Sequence, residues 1–332
     1  MDSVRQWLPV LFLAWAMSAL SSPLAVSSPP SLSSPNLNLT EITHTFANLS
    51  EIDIPQDLVL SLQSHFPSFQ PEEAYYYNTI MALKQLALGD FNGLMFGQRF
   101  ETDNFPGTPI TLVTRWGQIQ RKYVVWGLLL ALAFMTTETG LTATRFTMLW
   151  KGHEIGGLGI GILGPLSQAP NGTERTHVPD FNLTSSPASL ASDADLSFDV
   201  FKVTTAIARS GSDLRKHDVL MNIAGALAQA AEKPSEARLN YDWSSQLWNY
   251  QCRFDTKQVA PIRSAPPVYT FRVLIESLAQ VADYYVGNNA YHEISVITRV
   301  NRVTVGTSKL VQRTDRPLLG LGNQTQPVGS TA

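Results

Sequence analysis

Two stretches of the chain carry a helical apolar period, two more read as helices from an unbroken apolar run or from their end signals, and two sets of short stretches carry the alternation of strands. Tyr123 to Met135 is apolar throughout except for Gly127, is bounded by Lys122 and by Thr136, Thr137 and Glu138, and reaches a stop at Gly140. At about 13 residues it falls short of the roughly 20 that span a bilayer, so it predicts a buried helix. Val268, Phe271, Ile275, Leu278, Ala282 and Tyr285 form one stripe of a second helix over 268–285. Leu220, Ile223, Leu227 and Ala231 define a third, with Ser212 or Asp213 placed to cap it and Pro234 to close it. Pro71, Glu72 and Glu73 open a fourth that runs to Leu88 and ends at Gly89.

Strand signals follow two of these helices. Thr142, Thr144, Phe146, Met148 and Trp150 alternate with Ala143, Arg145, Thr147 and Leu149; a turn at 151–154 leads to Leu158, Ile160 and Ile162, spaced by glycines. Ile294, Val296, Thr298 and Val300 run towards Val303 and Val305 as a second hairpin. Helix then hairpin thus occurs twice, which predicts an α+β fold: helices packed on antiparallel sheet, in two similar helix-hairpin segments. The strands from Thr142 and the helix at 268–285 are the expected cover for the apolar helix at 123–135.

The stretches without a period set the domain boundaries. Arg5, the apolar run Trp7 to Ala19 and the small residues after it have the order of a signal peptide over 1–21, cleaved within 19–25; an uncleaved anchor is the alternative. Residues 22–49 read as a Ser/Pro-rich linker, 50–164 and 198–315 as the two α+β segments, 165–197 as a glycosylated loop and 316–332 as a disordered tail. Five Asn-x-Ser/Thr sequons, at Asn38, Asn48, Asn171, Asn182 and Asn323, lie in these polar stretches and agree with export.

The chain is 44% hydrophobic and 15% charged with a net charge of -3, which supports a folded core and offers no footprint for nucleic acid or for an anionic membrane surface. Cys252 is the one cysteine, so the core is held by packing, and its neighbours Trp248, Tyr250 and Phe254 suit a buried thiol.

Candidate chemistry is sparse. Gly156, Gly157, Gly159 and Gly161 lead into Pro165 instead of a helix, so they fit a strand packed closely on another backbone and not a phosphate loop. His153-Glu154, His292-Glu293 and His217-Asp218 are adjacent pairs without metal-ligand spacing, and read as solvated turns and faces. No nucleophile elbow, zinc-protease motif or cofactor signature occurs, so no catalytic, cofactor or metal residue is assigned. Trp243, Trp248 and Tyr250, crowded with Tyr241 and Phe254, are the candidate ligand surface; the same residues would also suit a buried strand. The apolar helix followed by Phe146-Thr-Met-Leu-Trp150-Lys-Gly152-His-Glu-Ile-Gly156 resembles uncharacterised secreted proteins of filamentous fungi, which implies export and no particular activity. The expectation is a secreted N-glycosylated protein, extracellular or associated with a cell wall, that binds carbohydrate or protein without catalysis. Its rival is an extracellular hydrolase whose site is assembled from dispersed residues.

Overall fold

The computed structural model describes residues 54–67, 70–162, 201–239, 242–247, 250–259 and 267–313. The expected signal peptide, linker, glycosylated loop and tail lie outside them, as do all five sequons and Trp248. The first half runs β1 (Leu58–Phe66), α1 (Glu72–Ala87), β2 (Leu94–Met95), β3 (Gln98–Phe100), β4 (Ile110–Thr114), β5 (Ile119–Gln120), α2 (Arg121–Phe134), β6 (Ala143–Trp150) and β7 (His153–Ile160). The second runs β8 (Val203–Asp213), α3 (Lys216–Ala231), β9 (Trp243–Gln246), β10 (Cys252–Gln258), α4 (Phe271–Asn288), β11 (His292–Val300) and β12 (Val303–Gln312).

The fold is α+β, and its repeat goes further than two hairpins. One five-stranded sheet has the order β1-β6-β7-β4-β3 and the other β8-β11-β12-β10-β9, all neighbours antiparallel. Strand for strand these are the same topology; among the described residues only the small β2–β5 ribbon is extra to the first half. Each sheet carries its two helices on one face, and the helices of the two halves pack together, α1 on α3 and α4 and α2 on α3. The molecule is therefore layered sheet, helices, helices, sheet, with the core between the sheets.

The match extends to single residues. Both hairpins turn on two residues with positive φ, Lys151 and Gly152 at 51° and 76°, Asn301 and Arg302 at 47° and 70°, the geometry that suits the twist of the flanking strands. Each has a bulge just short of the turn, after Met148 in one and Thr298 in the other, and each places a glycine opposite it, Gly156 and Gly306. A Cβ on Gly156 would lie 2.5 Å from the Val113 carbonyl oxygen, and one on Gly306 would lie 2.5 Å from the Tyr269 ring, so close approach excludes any side chain at both. Asn78 and Asn222, at the same turn of α1 and α3, are both buried and both donate to main-chain carbonyls at the approach to or start of a sheet strand, β4 and β10: Asn78 Nδ2 to Thr108 at 2.7 Å, Asn222 Nδ2 to Cys252 at 3.1 Å.

Helix α2 is buried all round from Val124 to Phe134 because it lies between the first sheet and other helices. Phe134 meets Phe146 of β6 edge to face at 5.6 Å, as expected, but the main helical neighbours of α2 are α1 and α3 instead of the helix at 268–285. A π-helical turn, Met135–Thr139, continues it to the left-handed Gly140. Neither Ser212 nor Asp213 caps α3. Both belong to β8, where Asp213 pairs with His292, and the helix starts at Lys216. Helix α4 starts at Phe271, not Val268, because Thr270 is held extended by a bridge to Arg238 and its hydroxyl caps the Val273 amide.

Polar side chains stitch the two halves around α1. Tyr76 OH is 2.7 Å from His217 Nδ1, Tyr77 OH donates to Asp283 at 2.6 Å, and Lys84 pairs with Glu276 at 2.7 Å. Lys216 reaches Glu73 at 2.7 Å and Glu72 at 3.0 Å. Burial disfavours both charges of the Lys216–Glu73 pair, yet their mutual hydrogen bond and attraction outweigh it, holding Glu73 below and Lys216 above the ordinary value. Cys252 is the buried thiol that its neighbours suggested: burial pushes its pKa up, and Sγ donates to the Asp218 carbonyl at 2.8 Å.

Candidate functional site

The second sheet bears a concavity of about 340 Å³ where β9, β10 and β12 meet. Strand alternation determines its make-up. Ser244, Asp255 and Lys309 form one cross-strand row, and Lys257 stands beside Thr307 in the next. These side chains face away from the helices, with Ser244, Lys257 and Lys309 exposed and Asp255 and Thr307 half-buried. Asp242 stands exposed at one end beside Trp243, a half-buried residue of the edge strand that borders the groove, pairs with Thr256 and packs on the core. Asp255 accepts from Arg253 Nε at 2.8 Å, two residues along the same strand.

Behind the groove lies a line of buried hydroxyls. Ser308 Oγ donates to Thr256 Oγ1 at 2.7 Å, Thr256 Oγ1 is 2.8 Å from Tyr269 OH, and Ser277 Oγ is 3.0 Å from Thr298 Oγ1. Burial raises the Tyr269 pKa, with the hydroxyls of Thr256, Ser308 and Thr298 acting against it.

The internal repeat shows which of these residues the fold requires. Strand pairing places Thr256, Ser308 and Thr298 where the first half has Leu112, Leu158 and Met148. Counting from the starts of α2 and α4, Tyr269 and Ser277 stand where the first half has Ile119 and Gly127. On the outer face, Asp255, Lys257 and Lys309 replace Thr111, Val113 and Gly159, and on the edge strand Trp243, which pairs with Thr256, stands where the first half has Gln98. The first sheet forms the same register with aliphatic, small or neutral residues at these positions. The two lysines and the indole are thus particular to the second half and not required by its architecture, and burying hydroxyls in place of leucines on the helix-facing side runs against core packing.

Of the aromatic cluster singled out by sequence, Tyr241 and Trp248 lie outside the described residues, and among the rest Trp243 alone borders the groove. Tyr250 is 3% exposed, with its ring 4.9 Å from that of His217, so it belongs to the core and presents no ligand surface. Phe254 is likewise buried. The His-acid pairs serve structure. Glu154 pairs with Arg115, His217 with Tyr76, and Asp218 with Arg215 at 3.2 Å. His292 is 5% exposed, against the expectation of a solvated face, because it starts a central strand beside Tyr284 and Tyr285. Among the described residues no group of three or more His, Cys, Asp or Glu is gathered as for a metal ion, and no helix is long and apolar enough to cross a membrane. Sequence reasoning missed Asp255, Lys257 and Lys309; the alternation Arg253, Asp255, Lys257 was the available signal, but register alone brings Lys309 beside it. Compared with known proteins, the chain matches no family model, no curated protein and no solved structure.

Proposed function

We propose that this is an exported, N-glycosylated binding protein that takes a saccharide chain along the outer groove of its second sheet. The observation that carries the reading is the set of groove residues, Trp243, Asp255, Lys257 and Lys309, at positions where the first sheet does without them. The half-buried indole of Trp243, bordering the groove, would supply the apolar contact for a sugar ring. Ser244, Asp255, Thr307 and the lysines offer the donors and acceptors that hydroxyl groups need, along an open trough that suits a chain. A protein partner would favour a more apolar centre than this one. The apolar run Trp7 to Ala19 and the five sequons support export and glycosylation.

Two measurements test the reading. Expressed in a eukaryotic host, the protein should accumulate in the medium cleaved between Ala19 and Ala25, with an apparent mass that falls after enzymatic N-glycan removal. An intact Met1, or recovery in membranes alone, would refute export. Against a panel of purified polysaccharides, Trp243→Ala should weaken binding by about 10- to 100-fold, as for a central aromatic contact. Trp243→Phe should keep most of it. Unchanged binding by a normally folded Trp243→Ala protein rules the groove out.

A further inference from the structure

Resting on that reading of the groove, we infer that its ligand is an anionic saccharide, whose carboxylate, sulfate or phosphate is received between Lys257 and Lys309 while a ring lies on Trp243. Both lysines are exposed, and among the described residues neither ammonium has an ion-pair partner. The carboxylate best placed to neutralise them, Asp255, lies directly opposite Lys309 in the sheet but makes its ion pair with Arg253 at 2.8 Å. Lys257 pairs across the ladder with Thr307, so Lys309, two residues on, is its diagonal neighbour on the same face. Diagonal neighbours are about 7–8 Å apart, which lets two long side chains converge on one anionic group, and without such a group the two charges only repel.

The fold gives no other reason for them. Val113 and Gly159 occupy the same two positions in the first sheet, which pairs in the same register. The groove is also at odds with the molecule around it. Asp255 is neutralised by Arg253 from outside the lining, so Lys257 and Lys309 face Asp242 alone, whereas the chain as a whole carries -3. A local positive field on a negative protein attracts an anionic chain and leaves neutral ones to the indole and hydroxyls alone.

The test uses matched probes that differ in charge but share a backbone: polygalacturonate and its full methyl ester, dextran sulfate and dextran, phosphomannan and mannan. The mature glycoprotein should bind the charged member of at least one pair about tenfold or more tightly than the neutral one, and the difference should shrink as salt is raised. Which pair shows it identifies the acid as carboxylate, sulfate or phosphate. Lys257→Gln and Lys309→Gln should each erase most of that preference without changing the melting temperature, whereas Trp243→Ala should weaken both members of the pair. Lys233→Gln, an exposed change outside the groove lining, should leave the preference intact. Equal binding of charged and neutral members, or a preference that survives both lysine substitutions, overturns the anionic ligand while leaving the saccharide site standing. Binding of no member of any pair overturns both.

Discussion

Replacing Leu130 with aspartate should prevent accumulation of the folded protein, whereas Thr137→Asp, seven residues on, should pass almost unnoticed. Leu130 is 2% exposed, near the middle of a helix buried on every side from Val124 to Phe134. The second repeat shows what a polar residue would need here. Its counterpart, Gln280, accepts from the Thr205 hydroxyl at 3.0 Å and donates to the Val203 carbonyl at 3.0 Å. In the first repeat the positions of Thr205 and Val203 belong to Leu60 and Leu58, and Leu60 offers no hydroxyl. An aspartate at 130 would therefore be a buried carboxylate without a partner, a defect worth about 3–5 kcal/mol on top of the lost leucine packing. That is a large part of the 5–15 kcal/mol by which domains are stable. Thr137 is exposed, and its hydroxyl only reaches back to the Ala133 and Phe134 carbonyls at 3.2 Å, so its loss should cost no more than about 0.5–1 kcal/mol. Secretion yield and thermal unfolding by circular dichroism read both. A Leu130→Asp protein that melts like the parent would mean that α2 is not enclosed by sheet and helices.

The same two repeats explain what could and could not be seen in the sequence. The helices α3 and α4 were visible from a periodic apolar stripe, α2 from an unbroken apolar run and α1 from its proline and acidic start, and the hairpins β6–β7 and β11–β12 because their alternation is long and their turns short. β3 has only three residues and β8 is half-buried at best, so neither carries an alternation strong enough to read. The duplication was visible only as helix and hairpin, since equivalent positions hold unlike residues, Leu112 against Thr256 and Leu158 against Ser308. That unlikeness hides the repeat and also marks the site. An aromatic run drew attention to Trp243 and Tyr250 alike, and composition could not separate them, because burial is decided by the fold, which packs Tyr250 against His217 of α3 and leaves Trp243 on an edge strand. Lys309 had no local signal at all; it joins Lys257 only through the pairing of β10 with β12.

Asn222→Leu should lower stability by about 1–3 kcal/mol although it adds apolar surface to an apolar core, and Asn78→Leu should do the same in the other half. Asn222 is fully buried, and its amide donates to the carbonyls of Cys252 at 3.1 Å and Ser245 at 3.4 Å, bracing the start of β10 against its neighbour β9. Asn78 holds the Thr108 and Phe105 carbonyls at 2.7 and 3.1 Å and accepts from the Thr102 hydroxyl. Leucine has the same number of side-chain heavy atoms and the same branching as asparagine but is bulkier and leaves those carbonyls without the amide donor, and the desolvation of main-chain oxygens exceeds what the added methyl groups return. Each variant should melt several degrees lower, at roughly 2–4 °C per kcal/mol for a folded region of this size. The effect should not be uniform across the molecule. Asn222→Leu loosens the strand that carries Asp255 and Lys257, so it should also weaken saccharide binding below the melting transition, while Asn78→Leu, which braces β4 in the first sheet, should destabilise without touching the groove. Equal binding by both variants at a temperature where both are folded would mean that the groove does not depend on how β10 is anchored.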